Sequence, residues 1–363
     1  MFFHKYRLNF LQILLITLIL LPIIFGIIML YFSGGDNGHM LALKQTIVFA
    51  MGTIISLCIF ALNPKFIENN AYILYFLALV LLICVELFGI KMMGGKRWLG
   101  VGAFRFQPCE ITKISLIIGI AKFCSAIQYN KIRSMSYVII LALMILAPTI
   151  LVIKQPDLGT GMILLLLGGC MLFVAGVKIW KFITVLVICS VAAPIIWHHL
   201  HPYQQKRIII FLNPQIDPLG NGYNIIQSKI AVGSGGLFGK GIGNGTQSHL
   251  DFLPEHQTDF MFATLAEEIG LIGVYILMLM YCGIIFISTI MSFRVRSKFA
   301  QLMIVGVNML FFCHVSLNIA MVIELAPVVG IPLPFISYGG ANLISMMIGF
   351  ALVVNAYSHR KTP

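Results

Sequence analysis

Four carboxylates lie together in the segment "LPEHQTDFMFATLAEE", residues 253–268, which opens a long apolar run. On one continuous helix, Glu255 and Asp259 would share a face, and Glu267 would lie about 12 Å further along it. Acids near a helix N-terminus often only complement the helix dipole, but Glu267 stands two turns inside apolar sequence. Carboxylates at membrane depth typically transfer protons or bind ions, so we predict a functional role for this group.

A second polar segment, "GGKRWLGVGAFRFQPCEITK", covers residues 94–113. Its charged residues are Lys96, Arg97, Arg105, Glu110 and Lys113. Glu110 and Lys113 stand at i, i+3 and could form a salt bridge on a capped helix, with Trp98 as an interfacial anchor. That interpretation leaves the three earlier cations without partners. An anionic ligand at the same surface would supply one.

The glycine run "GSGGLFGKGIGNG", residues 233–245, does not fit a nucleotide-binding loop. The first required glycine would be Ser234, and Lys240 is followed by Gly241 rather than by Ser or Thr. The run is either a flexible turn or a cradle of backbone amides for a phosphate group. The histidines of "WHHLHP", residues 197–202, have no carboxylate nearby in sequence, so we do not predict a metal site there.

The segment "ELAPVVGIPLPFISYGGAN", residues 324–342, contains three prolines and cannot form a continuous helix. Irregular backbone at membrane depth is tolerated only where it is buried in protein or lines a cavity. We therefore predict a re-entrant wall of a cavity, an ordinary loop being the alternative. The polar side chains expected to face that cavity are Glu324, Ser337, Tyr338 and Asn342.

The composition excludes a soluble protein, because 60% of the 363 residues are hydrophobic and only 10% are charged. Soluble domains carry roughly 25% charged residues. The net charge of +12 would suggest nucleic acid as a partner of a soluble chain. In a membrane protein it reflects basic loops, so membrane lipids rather than nucleic acid are expected around the chain. The eight cysteines form no C-x-x-C pair and predict neither disulfides nor a zinc site.

The apolar runs predict an all-α integral membrane protein with ten transmembrane helices, a single polytopic domain over residues 1–363. The predicted spans are 10–32, 46–62, 71–90, 109–127, 136–153, 158–177, 180–197, 260–290, 300–322 and 337–356. Placing both termini inside leaves a large external loop, 198–259, between the seventh and eighth spans. Within it, "YNIIQSKIAV" has the pattern of an interfacial amphipathic helix.

Four motifs together resemble the signatures of the SEDS family (shape, elongation, division and sporulation), in family order and over nearly the whole chain. They are "GGKRWLG…RFQPCEITK", "KQPDLGTG", "HLDFLPEHQTDFMFATLAEEIGLIG" and "PLPFISYGGAN". The resemblance is greater to elongation-type than to division-type members. It implies ten transmembrane helices and a peptidoglycan glycosyltransferase of the bacterial cytoplasmic membrane that polymerises lipid II, a disaccharide-pentapeptide on undecaprenyl pyrophosphate, for cell elongation and rod shape. It also implies a class B penicillin-binding protein, a transpeptidase, and the elongation machinery as partners.

The resemblance also assigns roles to individual residues. The family's essential acid falls on Asp259, and its functional Trp and Glu fall on Trp98 and Glu110. Family members usually have His where this chain has Gln257, and Ser or Ala where it has Cys109. Neither difference removes an assigned catalytic group.

The implied chemistry fits these residue types. A sugar 4-hydroxyl must attack an anomeric carbon, and Asp259 would accept its proton as the general base. The pyrophosphate leaving group requires cations, which Arg97, Lys113, Lys96 or a divalent ion, Mg²⁺ or Mn²⁺, would supply. No organic cofactor is expected. The further candidate substrate-binding residues are Trp98, Glu110, Glu255, Glu267 and Ser337.

Three alternatives use the same residues differently. A lipid II flippase would need polar residues at the inner side as well, where the predicted spans hold almost no acids. A division-type polymerase would carry out the same reaction in another assembly. A non-enzymatic scaffold for wall-synthesis proteins would need neither Glu267 in an apolar run nor a cationic outer segment.

Overall fold

A computed structural model describes residues 8–92, 95–101, 104–199, 202–217, 220–249, 252–253 and 255–360. The described chain is largely helical. The helices are α1 Phe10–Ser33, α2 Gly38–Ala61, α3 Pro64–Asn69, α4 Ala71–Phe88, α5 Pro108–Ala126, α6 Tyr129–Ile132, α7 Met135–Lys154, α8 Leu158–Val174, α9 Ile179–His199, α10 Pro202–Leu212, α11 Asn221–Ser234, α12 Thr246–His249, α13 Met261–Phe293, α14 Lys298–Val322 and α15 Gly340–Ser358. The strands are β1 Ile90–Met92, β2 Gly95–Val101 and β3 Phe104–Phe106.

Several of these helices can cross a membrane. Among the described residues, seven helices are long and apolar enough: α1, α2, α4, α7, α13, α14 and α15. Two shorter apolar helices, α8 and α9, cover further predicted spans. The remaining span coincides with α5, which carries the charged residues Glu110, Lys113 and Lys122. The chain is therefore a multi-pass membrane protein, and the number of ten crossings stays a prediction.

Helices α5 and α14 form the centre of the bundle. They pack against each other, and α14 also contacts α8, α13 and α15. Helix α2 packs against α1 and α15, and α4 packs against α5 and α7. Helix α9 lies at the rim, since most of its apolar side chains are exposed, including Leu186 at 66% and Val191 at 75%.

The connection between α4 and α5 forms a small antiparallel sheet in the order β1-β2-β3. Trp98 is paired with Ile90, and Leu99 with Phe106, so large apolar residues face one another across the ladders. The predicted all-α fold class holds for the chain as a whole, and this short sheet, which the apolar pattern did not predict, is an exception within it. The sheet places the segment that contains Lys96 and Arg97 in a fixed position before α5.

The predicted external segment 198–259 also contains regular structure. Helices α10, α11 and α12 lie within it, and α11 covers the predicted "YNIIQSKIAV" helix. Helix α11 packs against α13 and α14, so the segment is folded onto the bundle. Whether it lies outside the membrane stays a prediction.

The long helix α13 is broken at Gly270, where φ is 72° and ψ is −169°. This backbone region is accessible to glycine and strained for other residues. The break exposes backbone groups that bind the neighbouring glycine run, and Leu271 N donates to the Gly236 carbonyl at 3.0 Å. A Cβ atom at Gly270 would lie only 2.3 Å from Gly239 N. Glycine at positions 239 and 270 therefore allows the backbone of the glycine run to contact the backbone of α13 directly.

The amides of the glycine run are already hydrogen-bonded within the protein. Lys240 N donates to the Glu267 carbonyl at 3.0 Å, and Gly241 N donates to the Glu268 carbonyl at 2.9 Å. Gly243 N donates to Glu268 Oε2 at 3.0 Å. The interpretation of this run as a phosphate cradle is wrong, because these amides bind the broken helix instead.

Glu267 anchors the segment that follows the glycine run. Its side chain is 0% exposed, and Oε1 accepts hydrogen bonds from Lys240 Nζ at 2.6 Å and from Thr246 N and Oγ1 at 2.9 Å each. Gln247 N donates to the same carboxylate at 3.2 Å. These donors offset the cost of burying the charge. The observed contacts of Glu267 lie within the protein, and its predicted contact with substrate stays a prediction.

We expect Gly270→Ala to destabilise the protein by about 2 kcal/mol or more, because the added Cβ meets Gly239 and the positive φ becomes strained. The measurement is the apparent Tm of the purified protein in detergent. Gly169→Ala in α8 is the matched control, since a Cβ there meets nothing within 4 Å. Equal Tm values for the two variants would show that the break in α13 does not require glycine.

We expect Glu267→Ala to release the segment around α12 without unfolding the bundle, because the partly buried ammonium of Lys240 and two backbone amides lose their acceptor. Hydrogen exchange at the amides of Thr246 and Gln247 should accelerate on the order of ten- to a hundredfold. Glu86→Ala, which removes an exposed carboxylate on α4, is the control. Unchanged protection at both amides would contradict the anchoring role.

Candidate active site

Asp259 lies in the turn that precedes α13, and its side chain is partly buried. Asn318 of α14 holds this turn in place: its Nδ2 donates to the Asp259 carbonyl at 2.8 Å and to the Ile331 carbonyl at 2.7 Å. A Cβ at Gly330, where φ is 72°, would lie 3.2 Å from Asp259 Oδ2. The carboxylate therefore faces the irregular segment 329–331 at close range.

The acids at this turn do not share a helix, contrary to the sequence prediction. Helix α13 begins only at Met261, and Glu255 has a positive φ of 57°. Thr258 Oγ1 donates to Glu255 Oε2 at 2.7 Å, so a compact turn replaces the expected helical face. Glu255 nevertheless remains near enough to Asp259 to raise its pKa.

The environment of Asp259 raises the pKa of its carboxyl group to about 6. Burial is the largest cause, and the negative charges of Glu255 and Asp157 act in the same direction. The guanidinium groups of Arg207 and Arg97 lower the pKa and oppose this shift. A carboxylate with a pKa near the working pH is suited to accept a proton and release it again.

Arg97 reaches this site from β2 and is fixed by the loop between α7 and α8. Its guanidinium donates to the Pro156 carbonyl, and its Nη1 lies 3.9 Å from Asp157 Oδ1. Asp157 in turn caps α8 by accepting from Thr160 N at 3.2 Å and from Thr160 Oγ1 at 3.0 Å. The expectation that Arg97 lacks a protein partner is therefore wrong, and Asp157 is that partner.

Close backbone contacts join the segments around the site. A Cβ at Gly159 would lie 2.6 Å from the Val329 carbonyl, so the start of α8 abuts the segment after α14. Tyr338 N donates to the Gln257 carbonyl at 2.9 Å. The segment 324–339 thus forms one wall of the site, as the three prolines predict.

Backbone strain is concentrated in these same segments. In the described part of the chain, the non-glycine residues with positive φ are Pro156, Glu255, Glu324 and Phe335. All four belong to the connections that surround Asp259. Strained backbone persists only where the surrounding structure imposes it, and such residues cluster at functional sites.

Ser337 closes the wall rather than standing free in the cavity. Its side chain is 4% exposed, and its Oγ accepts a hydrogen bond from Leu333 N at 2.9 Å.

Glu324 forms an ion pair with Lys229 of α11. The Gln257 side chain contacts His256, whose Nε2 lies 3.2 Å from Gln257 Nε2. A direct contact between Ser337 and substrate stays a prediction.

Glu110 and Lys113 form the salt bridge that their spacing allows, with Lys113 Nζ 2.7 Å from Glu110 Oε1. His314 of α14 joins them, its Nε2 lying 3.0 Å from Lys113 Nζ. Lys113 and His314 are each 1% exposed, so the cluster belongs to the interface between α5 and α14. The sequence analysis missed His314. The roles of Glu110 and Lys113 in substrate binding stay predictions.

The other predicted residues have weaker contacts. Lys96 Nζ lies 3.5 Å from the Glu86 carbonyl, and Trp98 is half-exposed in β2. The side chain of Arg105, and those of His199 and His201, lie outside the described residues. Within the described ranges, no three His, Cys, Asp or Glu side chains are grouped closely enough to hold a metal ion.

Sequence reasoning missed three residues that the structure brings to this site. Asp157 stands in the motif "KQPDLGTG", which resembles a family signature but by itself assigns no role to this residue. Arg207 follows Lys206 in the predicted loop, where several cations obscure it. Asn318 is one amide in an apolar span, and only the fold places it beside Asp259.

Comparison with known proteins identifies the family. The family model described as cell cycle protein, covering FtsW, RodA and SpoVE, matches residues 7–362. The peptidoglycan glycosyltransferase MrdB of Escherichia coli K12 is 42% identical over 350 residues, which cover 96% of this chain and 93% of that protein. Stage V sporulation protein E of Bacillus subtilis is 37% identical, with 96% and 97% covered.

Solved structures share the fold. A chain described under "Structural coordination of polymerization and crosslinking by a peptidoglycan synthase complex" superposes with a TM-score of 0.81 at 26% identity, covering 96% of this chain and 98% of that one. The rod shape determining protein RodA of Thermus thermophilus superposes with a TM-score of 0.72 at 24% identity, covering 96% and 97%. The chain belongs to the FtsW/RodA/SpoVE family, which is the SEDS family that its motifs resemble.

Proposed function

We propose that this protein is an elongation-type peptidoglycan glycosyltransferase that polymerises lipid II into glycan strands. The observation that carries the proposal is the setting of Asp259. One partly buried carboxyl group, with a pKa of about 6, stands among two arginines and two further acids. This arrangement provides a base for a hydroxyl group and cations for a phosphate leaving group at one place.

Asp259 acts as the general base. A sugar 4-hydroxyl attacks the anomeric carbon of the second substrate, the bond from that carbon to the pyrophosphate oxygen breaks, and the hydroxyl proton passes to Asp259. The backbone carbonyl of Asp259 is held by Asn318, so the turn that carries the carboxylate is in place before the substrate arrives. Its pKa of about 6 leaves most of the carboxyl group ionised at neutral pH.

Arg97 and Arg207 stabilise the pyrophosphate that leaves. Both guanidinium groups are close enough to lower the pKa of Asp259. Arg97 is oriented by Pro156 and Asp157, so little freedom is lost when it binds a phosphate oxygen. Charge-assisted contacts to a leaving group strengthen as its negative charge develops. Lys96, at the same strand, adds a more mobile positive charge.

A divalent ion such as Mg²⁺ or Mn²⁺ fits this site only together with substrate. Mg²⁺ commonly binds through one or two carboxylates and the phosphate oxygens of its substrate. Glu255 and Asp157, whose charges both raise the pKa of Asp259, would supply the carboxylates here. When bound, the ion would neutralise charge on the pyrophosphate.

The proposed location is the cytoplasmic membrane of a bacterium, with both termini inside and the active site at the outer leaflet. A lipid-linked substrate has an apolar tail and a polar head, and a site at one end of a membrane bundle accommodates both. The solved relative of highest TM-score given above comes from a complex that combines polymerisation and crosslinking. We accordingly propose a class B penicillin-binding protein, within the elongation machinery, as the partner of this chain.

A lipid II flippase is the rival function. It would require a polar path from one end of the bundle to the other. The charged cluster of Glu110, Lys113 and His314 lies inside the bundle, but it is buried between α5 and α14 with its charges paired. The decisive experiment is incubation of the purified protein with lipid II, with and without the transpeptidase, followed by glycan chain analysis. Transfer of lipid II across vesicle membranes without polymer would favour the flippase.

We expect Asp259→Asn to abolish polymerisation while the protein remains folded and inserted, because an amide keeps the volume but cannot accept the proton. Initial rates at matched protein concentration measure this loss, and retention on size-exclusion chromatography checks the fold. Polymer yields comparable to those of the unmodified protein would remove Asp259 as the base.

The rate should also depend on pH through Asp259. Only the ionised carboxylate accepts the proton, so the polymerisation rate should rise with pH through a midpoint near 6. Removing the nearby negative charge in Glu255→Gln should move that midpoint to lower pH, because Glu255 raises the pKa. Arg207→Gln should move it to higher pH, because Arg207 lowers the pKa. Identical midpoints in all three proteins would assign the titration to another group.

We expect Arg97→Gln to reduce the rate on the order of ten- to a hundredfold, from the loss of a charge-assisted contact of about 1.5–3 kcal/mol. Lys96→Gln should reduce it less, since an ammonium acts as a point charge and Lys96 is less firmly held. The measurement is the initial rate against lipid II concentration. If Arg97→Gln kept the unmodified rate at limiting lipid II, stabilisation of the leaving pyrophosphate would be assigned to Arg207, Lys113 or a metal ion instead.

A further inference from the structure

The end of the bundle opposite Asp259 contains an open cavity of about 680 Å³ between the turn before α7 and the start of α9. Helix α8 starts beside Asp157 at the active-site end and ends at Val174, so this cavity lies at the far end. The cavity is lined by Arg133, Met135, Lys178, Trp180 and Lys181. Three of these five residues are cations.

Lys181 is the unusual member of this set, because it is only 9% exposed. Its Nζ donates to the Arg133 carbonyl at 2.8 Å and lies 5.8 Å from the centre of the Trp180 ring. A carbonyl group and an aromatic ring do not neutralise the charge of a buried ammonium. A buried charge is costly unless it is paired, so an anion at this position would stabilise the structure.

No carboxylate is among the described residues that line the cavity. In the sequence, Asp157 is the only acid between Glu110 and Asp217, and it caps α8 at the other end of the bundle. Lys178 is exposed at the mouth, so the cavity presents its positive charge to an incoming ligand.

The apolar surroundings indicate the kind of anion. Met135 at 60%, Ile179 at 63% and Ile183 at 54% exposure flank the cations with apolar surface. Trp180 is 52% exposed beside them, and tryptophan is enriched at the boundary between headgroups and hydrocarbon. Basic pockets between transmembrane helices on the cytoplasmic side are typical sites for anionic lipid headgroups. A free phosphate ion would use the cations but not this apolar rim.

We propose that Lys178, Lys181 and Trp180, beside Arg133, bind the phosphate of an anionic phospholipid at the end of the bundle opposite the active site. The phosphate binds the two lysines, and the acyl chains lie along the exposed apolar face of α9. Basic residues at this end would also serve as topology signals. That role alone does not explain why Lys181 is buried in a cavity that two further cations also line.

Tryptophan fluorescence provides a direct test that requires no enzymatic turnover, so it stands or fails separately from the proposed activity. The chain has three tryptophans, and Trp98→Phe with Trp197→Phe leaves only Trp180. This protein is placed in vesicles of phosphatidylcholine that contain a small, equal mole fraction of either brominated phosphatidylglycerol or brominated phosphatidylcholine. Bromine quenches tryptophan on contact, and we expect the anionic lipid to quench Trp180 more strongly.

Charge-removing variants locate the site. Lys178→Gln and Lys181→Gln should each lower the relative affinity for the anionic lipid about fivefold, the effect of one cation near a membrane surface. Lys181→Arg keeps the charge and should retain the preference for the anionic lipid. It is the control for any misfolding caused by replacing this buried side chain. Lys65→Gln is the matched control, since Lys65 is exposed after α2 and lies outside this cavity. Equal quenching by the two lipids, or an equal loss in Lys65→Gln, would overturn the proposal.

A competition experiment with inorganic phosphate distinguishes a lipid phosphate group from a free phosphate ion as the ligand of this cavity. Added at an ionic strength matched with chloride, it should leave the quenching by phosphatidylglycerol unchanged if the site takes a lipid headgroup. Loss of quenching in phosphate but not in chloride would show a site for free phosphate and overturn the assignment to lipid.

Discussion

The side-chain amide of Asn318 is the contact on which the active site depends. It is 0% exposed in the central helix α14, and its Nδ2 joins the carbonyls of Asp259 and Ile331. These carbonyls belong to two irregular segments that approach each other at one end of a helical bundle. Such segments need internal hydrogen-bond partners because the membrane offers none. One buried amide therefore satisfies two backbone groups and at the same time fixes the distance between the Asp259 turn and the segment that faces it.

The carboxylates of this protein have different roles because their surroundings differ. Glu267 accepts hydrogen bonds from an ammonium, a hydroxyl and two amides, and this full set of donors anchors a loop. Glu110 is paired with a buried lysine in the bundle core. Asp259 has no such set of donors among its described contacts; burial and two neighbouring acids raise its pKa, while two arginines limit the rise. This arrangement brings the pKa of Asp259 to about 6, so its carboxyl group can change its protonation state near neutral pH.

Sequence predicted the parts of this structure that depend on local composition, and it failed where distant segments meet. Each predicted span coincides with a helix, because a run of about twenty apolar residues is helical wherever it crosses a membrane. The shared helical face of Glu255 and Asp259 was wrong, since contacts with Asn318 and Tyr338 favour a compact turn over helix there. Sequence left a turn and a phosphate cradle open for the glycine run for the same reason: its hydrogen bonds are to the break at Gly270, which lies about thirty residues away in sequence.

The two ends of the bundle differ in the way they neutralise positive charge, and this difference suits two kinds of ligand. At the active-site end, Arg97 is tethered by Asp157, so it is oriented in advance but its attraction for anions is moderated. A ligand that must leave after reaction requires such moderated binding, because tight binding of the product slows turnover. At the other end, Lys178 and Lys181 stand with no acid among the described residues that line their cavity. Unmoderated charge of this kind suits a ligand that remains bound, such as a structural lipid, and it would hinder an enzyme that had to release its product from the same place.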